Sequence, residues 1–196
     1  NASGVISGVL TQNVDGLHQR SQDGIDAQLG HNTEPGRVIA LHGSMDEIEC
    51  LVCGVKENRE AFGIRLHEAN VGVADDWHIT EADINPDGDA RIPQRWVDEF
   101  TMVQCLNCGS DKLKPTVVYF GEVVPRQRKE SISALLESSG ALIVVGSSLA
   151  VMSSYRILLE ADRNRKPIGV INRGPTRGEE RATFRWHTGV QQALEW

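Results

Sequence analysis

The stretch ALIVVGSSLAVMSSYRILLEADRNRKPIGVIN, residues 141–172, sets the fold class of this chain. It opens with an uninterrupted apolar run at Ala141–Val145, passes through Gly-Ser-Ser into a helical pattern at Ser153–Arg163, and closes with a second apolar run at Ile168–Ile171. Continuous apolar runs are typical of strands that are covered on both faces, as in a parallel sheet. A strand, a helix and a second strand in this order indicate an α/β, Rossmann-like doubly wound fold.

Other parts of the chain extend this pattern. Two further apolar runs, at Val5–Thr11 and Thr116–Phe120, are predicted to be buried strands. A helix is predicted over Pro125–Ser139, and Ser153 or Ser154 is a candidate N-cap for the helix that follows the Gly-Ser-Ser loop. The alternation of strands and helices therefore continues on both sides of the deciding stretch.

The bulk properties exclude several classes of protein. The chain has 196 residues, 40% of them hydrophobic, and a net charge of −7, which argues against a general binder of nucleic-acid backbones. No apolar run reaches membrane-spanning length, and no segment has the pattern of a signal peptide. We expect no nucleic-acid or membrane partner. We also expect a reducing compartment, the cytosol or an organelle matrix.

All four cysteines fall into two Cys-x-x-Cys pairs, Cys50–Cys53 and Cys105–Cys108, and a glycine follows each pair. Two such pairs can present four thiolates to one tetrahedral zinc, so we predict a closed structural zinc site. The alternative is two independent redox or disulfide pairs. Residues 46–111 are polar and lack long apolar runs, and we interpret them as a zinc-binding module inserted into a Rossmann-like domain formed by residues 1–45 and 112–196.

Polar residues follow three of the predicted strands at their carboxyl ends, where open parallel sheets bind ligands. These residues are Gln12, Asn13 and Asp15 after the first strand, Gly146, Ser147 and Ser148 after the strand that ends at Val145, and Asn172, Arg173 and Gly174 after Ile171. A Gly-Ser-Ser loop before a helix can offer amides and hydroxyls to phosphate oxygens, and an asparagine at a strand end suits a ribose hydroxyl. Each set alone is also ordinary turn chemistry. Three sets together favour a nucleotide.

Two histidines are candidate bases. His42 lies in a Leu-His-Gly turn and His18 follows Gly16-Leu17. An imidazole titrates near neutral pH and can accept a proton from a hydroxyl. The residue types do not separate the two histidines.

Several of these segments, taken in order, resemble the motifs of the sirtuins. They are residues 11–18 (TQNVDGLH), the Leu41-His42-Gly43 turn, the two cysteine pairs, residues 118–122 (VYFGE), residues 144–149 (VVGSSL) and Ile171-Asn172. Residues 85–89 (NPDGD) and 174–177 (GPTR) resemble the class II, sirtuin 4-like branch. The resemblance implies an NAD-dependent protein deacylase that acts on acylated protein lysines and releases nicotinamide, O-acyl-ADP-ribose and free lysine. Some members are reported to transfer ADP-ribose instead.

The resemblance also implies roles for individual residues. His42 would be the catalytic base, with Asn13 ordering the site. The residues that would bind NAD are Gln12, Asn13, Val14 and Asp15 around the ribose and nicotinamide, Gly146, Ser147 and Ser148 near the phosphates, and Asn172, Arg173, Gly174 and Thr188 near the adenosine. An acylated substrate would pair as an added strand with the segment that contains Val118, Phe120, Gly121 and Glu122. The zinc ligands would be Cys50, Cys53, Cys105 and Cys108.

The chain departs from the family pattern in two places. Nothing in it matches the family's Gly-Ala-Gly-x-Ser loop or its Pro-Asp-Phe-Arg segment. We therefore expect the C-terminal two thirds of a sirtuin core, with weak NAD binding and little turnover on its own. The polar segment Ser21–Arg37, with Gly and Pro breaks, is longer than the family's link and is interpreted as a surface loop. The alternative function is a catalytically impaired, zinc-containing binding protein.

Overall fold

The computed structural model describes residues 6–29, 38–73, 80, 84 and 92–195. In chain order its helices and strands are β1 (Val9–Thr11), α1 (Leu17–Leu29), β2 (Val38–Ala40), β3 (Glu47–Cys50), β4 (Lys56–Asn58), α2 (Arg59–Ala69), α3 (Gln94–Glu99), β5 (Leu113–Pro115), α4 (Arg126–Ser138), β6 (Leu142–Val145), α5 (Met152–Arg163), β7 (Ile168–Ile171), β8 (Phe184–Trp186) and α6 (Val190–Leu194). No helix within these described ranges is long and apolar enough to cross a membrane.

The chain divides into two compact units, residues 1–43 with 118–196, and residues 44–117. The first unit contains two parallel sheets. In one, β1 pairs with β2; in the other, the strand order is β6-β7-β8. The register places Val145 opposite Ile171 and Ile171 opposite Trp186, so these three strands reach their carboxyl ends side by side. The parallel α/β architecture confirms the predicted fold class.

The core of the first unit forms where α4 and α5 cover the parallel strands. Its buried residues are Leu41, Val124, Ile132, Leu136, Val144, Leu149, Ile157, Leu158, Ala161, Ile168 and Val170. Leu158 and Ala161 of α5 are fully buried. Complete burial of a leucine side chain stabilises a fold by about 1.5–3 kcal/mol. This packing holds the N-terminus of α5 beside the strand ends.

In its described residues, 44–73, 80, 84 and 92–117, the second unit has a small antiparallel sheet of order β4-β3-β5 and the helices α2 and α3. Helix α2 begins at a side-chain cap, because Asn58 Oδ1 accepts hydrogen bonds from the amides of Glu60 and Ala61. The buried hydrophobic residues of the second unit are Ile48, Cys50, Phe62, Trp96 and Cys105. Two of the five are cysteines, so the stability of this unit depends on the state of its thiols.

Two strand predictions need correction. The first strand is shorter than predicted and spans Val9–Thr11; Val5 lies outside the described residues. The predicted strand at Thr116–Phe120 is wrong, because the neighbouring residues Leu113–Pro115 form β5 instead. After Pro115 the chain leaves the sheet and makes a tight turn that is closed by a hydrogen bond from Glu122 N to Tyr119 O. Only the end of this run is exposed, at Tyr119 and Phe120, whereas Thr116 is buried and Val118 packs against the core without joining a sheet.

Two predictions about the helices also need correction. The prediction of a polar loop at Ser21–Arg37 is wrong over Ser21–Leu29, because these residues belong to helix α1. Residues 30–37 lie outside the described part of the chain. This helix starts where Asp15 Oδ1 accepts a hydrogen bond from the amide of Leu17, and it tolerates Gly24. The N-cap of α5 is Val151, not Ser153 or Ser154.

Candidate functional site

The four cysteines come together at two turns with the same backbone geometry. The amide of Gly54 donates to the carbonyl of Cys50, and the amide of Gly109 donates to that of Cys105, each at 2.9 Å. Both glycines adopt positive φ values, 71° and 72°. Glycine reaches this conformation without steric cost, which is the physical reason for a glycine after each Cys-x-x-Cys pair.

The sulphur atoms approach one another across the two pairs. Cys50 Sγ lies 3.6 Å from Cys108 Sγ, and Cys53 Sγ lies 3.6 Å from Cys105 Sγ, with all four within 4.8 Å of one another. All four are free thiols, at separations far above the roughly 2.05 Å of a disulfide. Zn–S bonds of about 2.3 Å set the sulphurs of a tetrahedral site about 3.8 Å apart. The cluster therefore fits zinc, and its pairing across the turns disfavours two separate redox pairs.

The thiols of the cluster differ in acidity. The amide of Val55 and the side chain of Asn107 donate hydrogen bonds that lower the pKa of Cys53 to about 6. At Cys108 the amide of Ser110 acts in the same direction, but desolvation and the neighbouring thiols outweigh it and raise the pKa to about 12. Cys53 is therefore a thiolate at neutral pH, whereas Cys108 keeps its proton until a metal displaces it.

In the first unit, Gln12 joins three of the predicted site segments. It follows β1, and its side-chain Nε2 donates a 2.7 Å hydrogen bond to Ser147 Oγ in the loop after β6. Its backbone oxygen lies 3.3 Å from Nδ1 of His42. The structure thus brings Gln12, Ser147 and His42 together at the carboxyl ends of the strands, where an α/β sheet binds ligands.

His42 has a second polar neighbour, which the sequence did not reveal. Its Nε2 lies 2.8 Å from the hydroxyl of Ser153 in the first turn of α5. The ring is half-buried. His18, the other candidate base, lies exposed in the first turn of α1. Of the two histidines, only His42 is placed among the other candidate site residues.

The Gly146-Ser147-Ser148 loop follows β6 with an unusual backbone. Gly146 has a φ of +61° and Leu149 a φ of +50°, although a leucine rarely adopts a positive value. The Leu149 side chain is buried in the core, and its amide donates to Ser147 Oγ at 3.2 Å. Buried packing thus holds the strained backbone, a feature common at ligand sites.

In the loop after β7, the side chain of Asn172, which was predicted to bind a ribose hydroxyl, forms hydrogen bonds within the protein. The side-chain nitrogen Nδ2 of Asn172 donates to the carbonyl of Gly174 and to Thr176 Oγ1, each at 3.0 Å. Thr176 is buried, and its hydroxyl in turn donates to the carbonyl of Ser147. This network links the two loops at neighbouring strand ends. Asn172 therefore shapes the site through its side-chain NH₂ group.

The remaining residues that were predicted to bind the adenosine lie beside these loops. The backbone amides of Asn172 and Thr188 both donate to the backbone carbonyl of Trp186, the last residue of β8. The hydroxyl of Thr188 bonds Gln192 in α6, and the side chain of Arg173 is exposed and approaches Gly189. Thr188 thus shares a strand end with Asn172.

The residues after Gln12 have mixed surroundings. Asn13 is exposed, and its amide donates to the hydroxyl of Thr11. Val14 is half-buried. The carboxylate of Asp15 accepts from the amide of Leu17 and so begins α1. The role of Asp15 in this structure is therefore at least that of a helix cap.

The predicted substrate segment is an exposed turn. The amide of Val118 donates to the carbonyl of His42 at 2.8 Å, so the segment is tied directly to the candidate base. Phe120 is 98% exposed, Gly121 has a φ of +90°, and a carboxylate oxygen of Glu122 accepts from the amide of Tyr119. The segment 85–89, which carried part of the resemblance, lies outside the described residues.

Sequence reasoning missed three residues that build this site: Leu149, Ser153 and Thr176. Leu149 looks like an ordinary apolar position, and only its positive φ sets it apart. Ser153 and Thr176 make hydrogen bonds to residues 111 and 29 positions away. A polar residue at each strand end is a usable sequence signal, but these partners are long-range and leave no local pattern.

Comparisons with known proteins show the family of this chain. The Sir2 family profile matches residues 1–153, and this chain belongs to the Sir2 family. It is 45% identical over 193 residues to the NAD-dependent protein deacetylase 1 of Corynebacterium efficiens, covering 98% of this chain and 64% of that protein. It is 34% identical over 180 residues to the NAD-dependent protein deacylase Sirt4 of Drosophila melanogaster, covering 92% and 52%.

Solved structures share the fold. One is the structure of Sir2Tm bound to a propionylated peptide, which superposes with a TM-score of 0.64 at 24% identity and covers 98% of this chain and 62% of that chain. The likeness places the chain on the Sir2 fold. The chain spans less than two thirds of the length of the relatives and structures described.

Proposed function

We propose that this chain contributes to the activity of an NAD-dependent protein-lysine deacylase of the Sir2 type. The observation that carries the proposal is the position of His42 at the strand ends, in contact with Gln12 and Ser153 and beside the loop of Ser147. The names of the relatives, an NAD-dependent deacetylase and an NAD-dependent deacylase, support the same reading. Membership of the family supports this activity, and the geometry of the site identifies the residues proposed to carry it out.

In this proposal His42 is the general base. A neutral imidazole can take the proton of a ribose hydroxyl and so turn that hydroxyl into a nucleophile toward the acyl group. General bases of this kind contribute about 10²–10⁴-fold to a rate. The hydrogen bond from Val118 to the carbonyl of His42 fixes the backbone of the base relative to the proposed substrate segment.

NAD is the proposed co-substrate, and when bound it supplies the anomeric carbon from which nicotinamide departs. The residues proposed to hold it are Gln12, Asn13, Val14, Asp15, Gly146, Ser147, Ser148, Asn172, Arg173, Gly174 and Thr188. Their chemistry suits a dinucleotide: hydroxyls and main-chain amides for phosphate oxygens, side-chain amides for ribose hydroxyls, and a guanidinium for negative charge. They follow the ends of parallel strands, which is the usual place for a nucleotide in this class of fold.

The proposed protein substrate is an acylated lysine in an extended segment. Residues Val118, Phe120, Gly121 and Glu122 would bind it through backbone pairing, with Phe120 free to cover the acyl-lysine chain because its ring is exposed. Zinc, held by the four cysteines, would have a structural role, since four thiolates leave no open position for water. We place the protein in the bacterial cytoplasm, with the mitochondrial matrix as the alternative.

The test is an assay of acyl-lysine peptides with NAD, in which deacylated peptide and nicotinamide are both measured. It uses the chain alone and the chain fused to the part of the Corynebacterium relative outside the matched 64%. We expect the fusion to deacylate and His42→Ala to lower that rate by about 100-fold or more. His18→Ala is the matched control and should leave the rate unchanged, because His18 is exposed on α1.

Other outcomes identify the alternatives. ADP-ribosylated protein without deacylated peptide would assign ADP-ribosyl transfer instead. A fusion that binds zinc and folds but neither releases nicotinamide nor deacylates would favour a zinc-containing binding protein. Equal rates for wild type and His42→Ala would remove His42 from the base role.

A further inference from the structure

The inference concerns Ser153, whose hydroxyl lies 2.8 Å from Nε2 of His42. Nδ1 on the other side of the ring lies 3.3 Å from the carbonyl oxygen of Gln12. A carbonyl oxygen only accepts hydrogen bonds, so Nδ1 must carry the proton for this contact to be favourable. In the neutral ring, Nε2 then bears the lone pair, and the hydroxyl of Ser153 donates to it.

We propose that Ser153 is a positioning residue for His42: its hydroxyl holds the Nε2 edge of the ring at the strand ends, while the carbonyl of Gln12 keeps the proton on Nδ1. This rests on the proposed function, in which His42 is the base. Without both neighbours a neutral imidazole could carry its proton on either nitrogen, and one of the two forms has no lone pair at Nε2. The carbonyl of Gln12 favours the form that can accept a proton at Nε2, and the hydroxyl of Ser153, which can donate or accept, fixes the orientation of the ring.

A serine suits this position because a hydroxyl can reverse its role. When His42 is neutral, Ser153 donates to the single lone pair of Nε2, and the substrate hydroxyl takes its place as donor when the proton is transferred. Once Nε2 carries that proton, the oxygen of Ser153 can accept a hydrogen bond from it. The hydroxyl therefore supports the ring before and after proton transfer. A donor-only group such as a lysine ammonium would oppose the second state.

The placement of Ser153 is determined by the helix that carries it. Ser153 lies in the first turn of α5, and the hydrogen bond from Tyr155 N to Val151 O closes that turn. Its neighbour Ser154 is buried and donates to the carbonyl of Val151, a contact within the helix start. The two adjacent serines thus differ in role: one bonds the histidine and the other bonds its own helix.

The experiment measures the tautomer of His42 directly, by the ¹⁵N chemical shifts of its imidazole at a pH where the ring is neutral. The His42 signals are assigned by their loss in His42→Asn. In the unaltered chain we expect Nδ1 to be protonated and Nε2 unprotonated. In Ser153→Ala the signal of Nε2 should move to higher frequency, because the unprotonated nitrogen loses its hydrogen-bond donor, while Nδ1 should stay protonated against the carbonyl of Gln12.

Two variants serve as controls. Ser153→Thr keeps the hydroxyl and should restore the wild-type shifts, whereas Ser154→Ala should leave them unaltered because Ser154 does not contact the ring. Unchanged His42 shifts in Ser153→Ala, or an Nε2 that is protonated in the unaltered chain, would overturn the proposal.

A kinetic readout separates this proposal from the function on which it rests. In the fusion enzyme, Ser153→Ala should lower kcat for deacylation by roughly three- to tenfold, with the peptide KM unchanged and Ser153→Thr close to wild type. A normal kcat with altered shifts would overturn the positioning role alone. Unchanged His42 shifts in Ser153→Ala leave the deacylase proposal standing, since that is judged by His42→Ala.

Discussion

The side chain of Gln12 donates a 2.7 Å hydrogen bond to the hydroxyl of Ser147, 135 residues further along the chain. This bond joins the loop after β1 to the loop after β6, which belong to two different parallel sheets. The backbone oxygen of the same glutamine contacts His42. One residue therefore sets the positions of both the candidate base and the candidate phosphate loop.

Replacing Gln12 by alanine should destabilise the chain by about 1 kcal/mol, because one partly buried hydrogen bond is lost. Thermal or urea unfolding measures this change. Gln127→Ala is the matched control, since Gln127 is exposed in α4 and its replacement should have little effect. Equal unfolding midpoints for the two variants would show that the Gln12–Ser147 bond contributes nothing to stability.

Thr176→Val should be more costly than its small change in shape suggests. The hydroxyl of Thr176 is buried between the carbonyl of Ser147 and the amide nitrogen of Asn172, and valine leaves both without this partner. We expect a loss of about 1–3 kcal/mol in the free energy of unfolding. Thr176→Ser keeps the hydroxyl and should retain most of the stability; a serine variant as unstable as the valine one would point to packing of the methyl group instead.

Gly146→Ala tests the backbone of the loop after β6. Gly146 has a φ of +61°, and an added Cβ would lie 2.9 Å from a methyl carbon of Val190. The positive φ alone should cost about 1–2 kcal/mol for a residue with a side chain. Gly140→Ala is the control, because its φ is not positive and no atom lies within 4 Å of the added carbon.

The two sources of strain at Gly146 can be separated. In the double variant Gly146→Ala with Val190→Ala, the close contact is removed but the backbone conformation is not. We expect this pair to recover part of the loss, after correction for Val190→Ala alone. Full recovery would assign the whole cost to the contact and none to the backbone.

The acidity of the thiols predicts the order in which they react in metal-free protein. Cys53, with its pKa lowered to about 6, should be alkylated by iodoacetamide at pH 7 well before Cys108, whose pKa is raised to about 12. This order is opposite to exposure, because Cys108 is exposed and Cys53 only half-exposed. Below pH 6 the advantage of Cys53 should fade as its thiolate takes up a proton.

Peptide mapping by mass spectrometry after short exposure measures that order. Zinc should protect all four cysteines, since each thiolate would be bound to the metal. Faster labelling of Cys108 than of Cys53 at pH 7 would contradict the prediction. Unchanged labelling in the presence of zinc would argue against the four-cysteine site.

Much of the fold follows from local sequence patterns. The runs at Ala141–Val145 and Ile168–Ile171 predict strands that the structure places at Leu142–Val145 and Ile168–Ile171. The helix predicted at Pro125–Ser139 is found at Arg126–Ser138. These succeed because buried apolar strands and amphipathic helices depend on nearby residues.

The failures also have a physical origin. The run at Thr116–Phe120 has the composition of a strand, yet β3 pairs with the residues just before it, and a run without a partner strand has no ladder of hydrogen bonds. The segment at Ser21–Leu29 was interpreted as a loop because it is polar, but its helix begins at the cap supplied by Asp15. Strand pairing depends on residues that are distant in the sequence. A polar helix lacks the periodic apolar positions from which a helix is predicted.

By itself the sequence determined the α/β class, the pairing of the four cysteines into two Cys-x-x-Cys turns and the strand ends at which the candidate site lies, because these depend on residue type and spacing. Only the tertiary structure decided which groups meet there. It chose His42 over His18 as the histidine beside Gln12, and gave it Ser153 as a second neighbour. Such contacts join residues far apart in the chain, and their distances exist only once the strands and helices have packed.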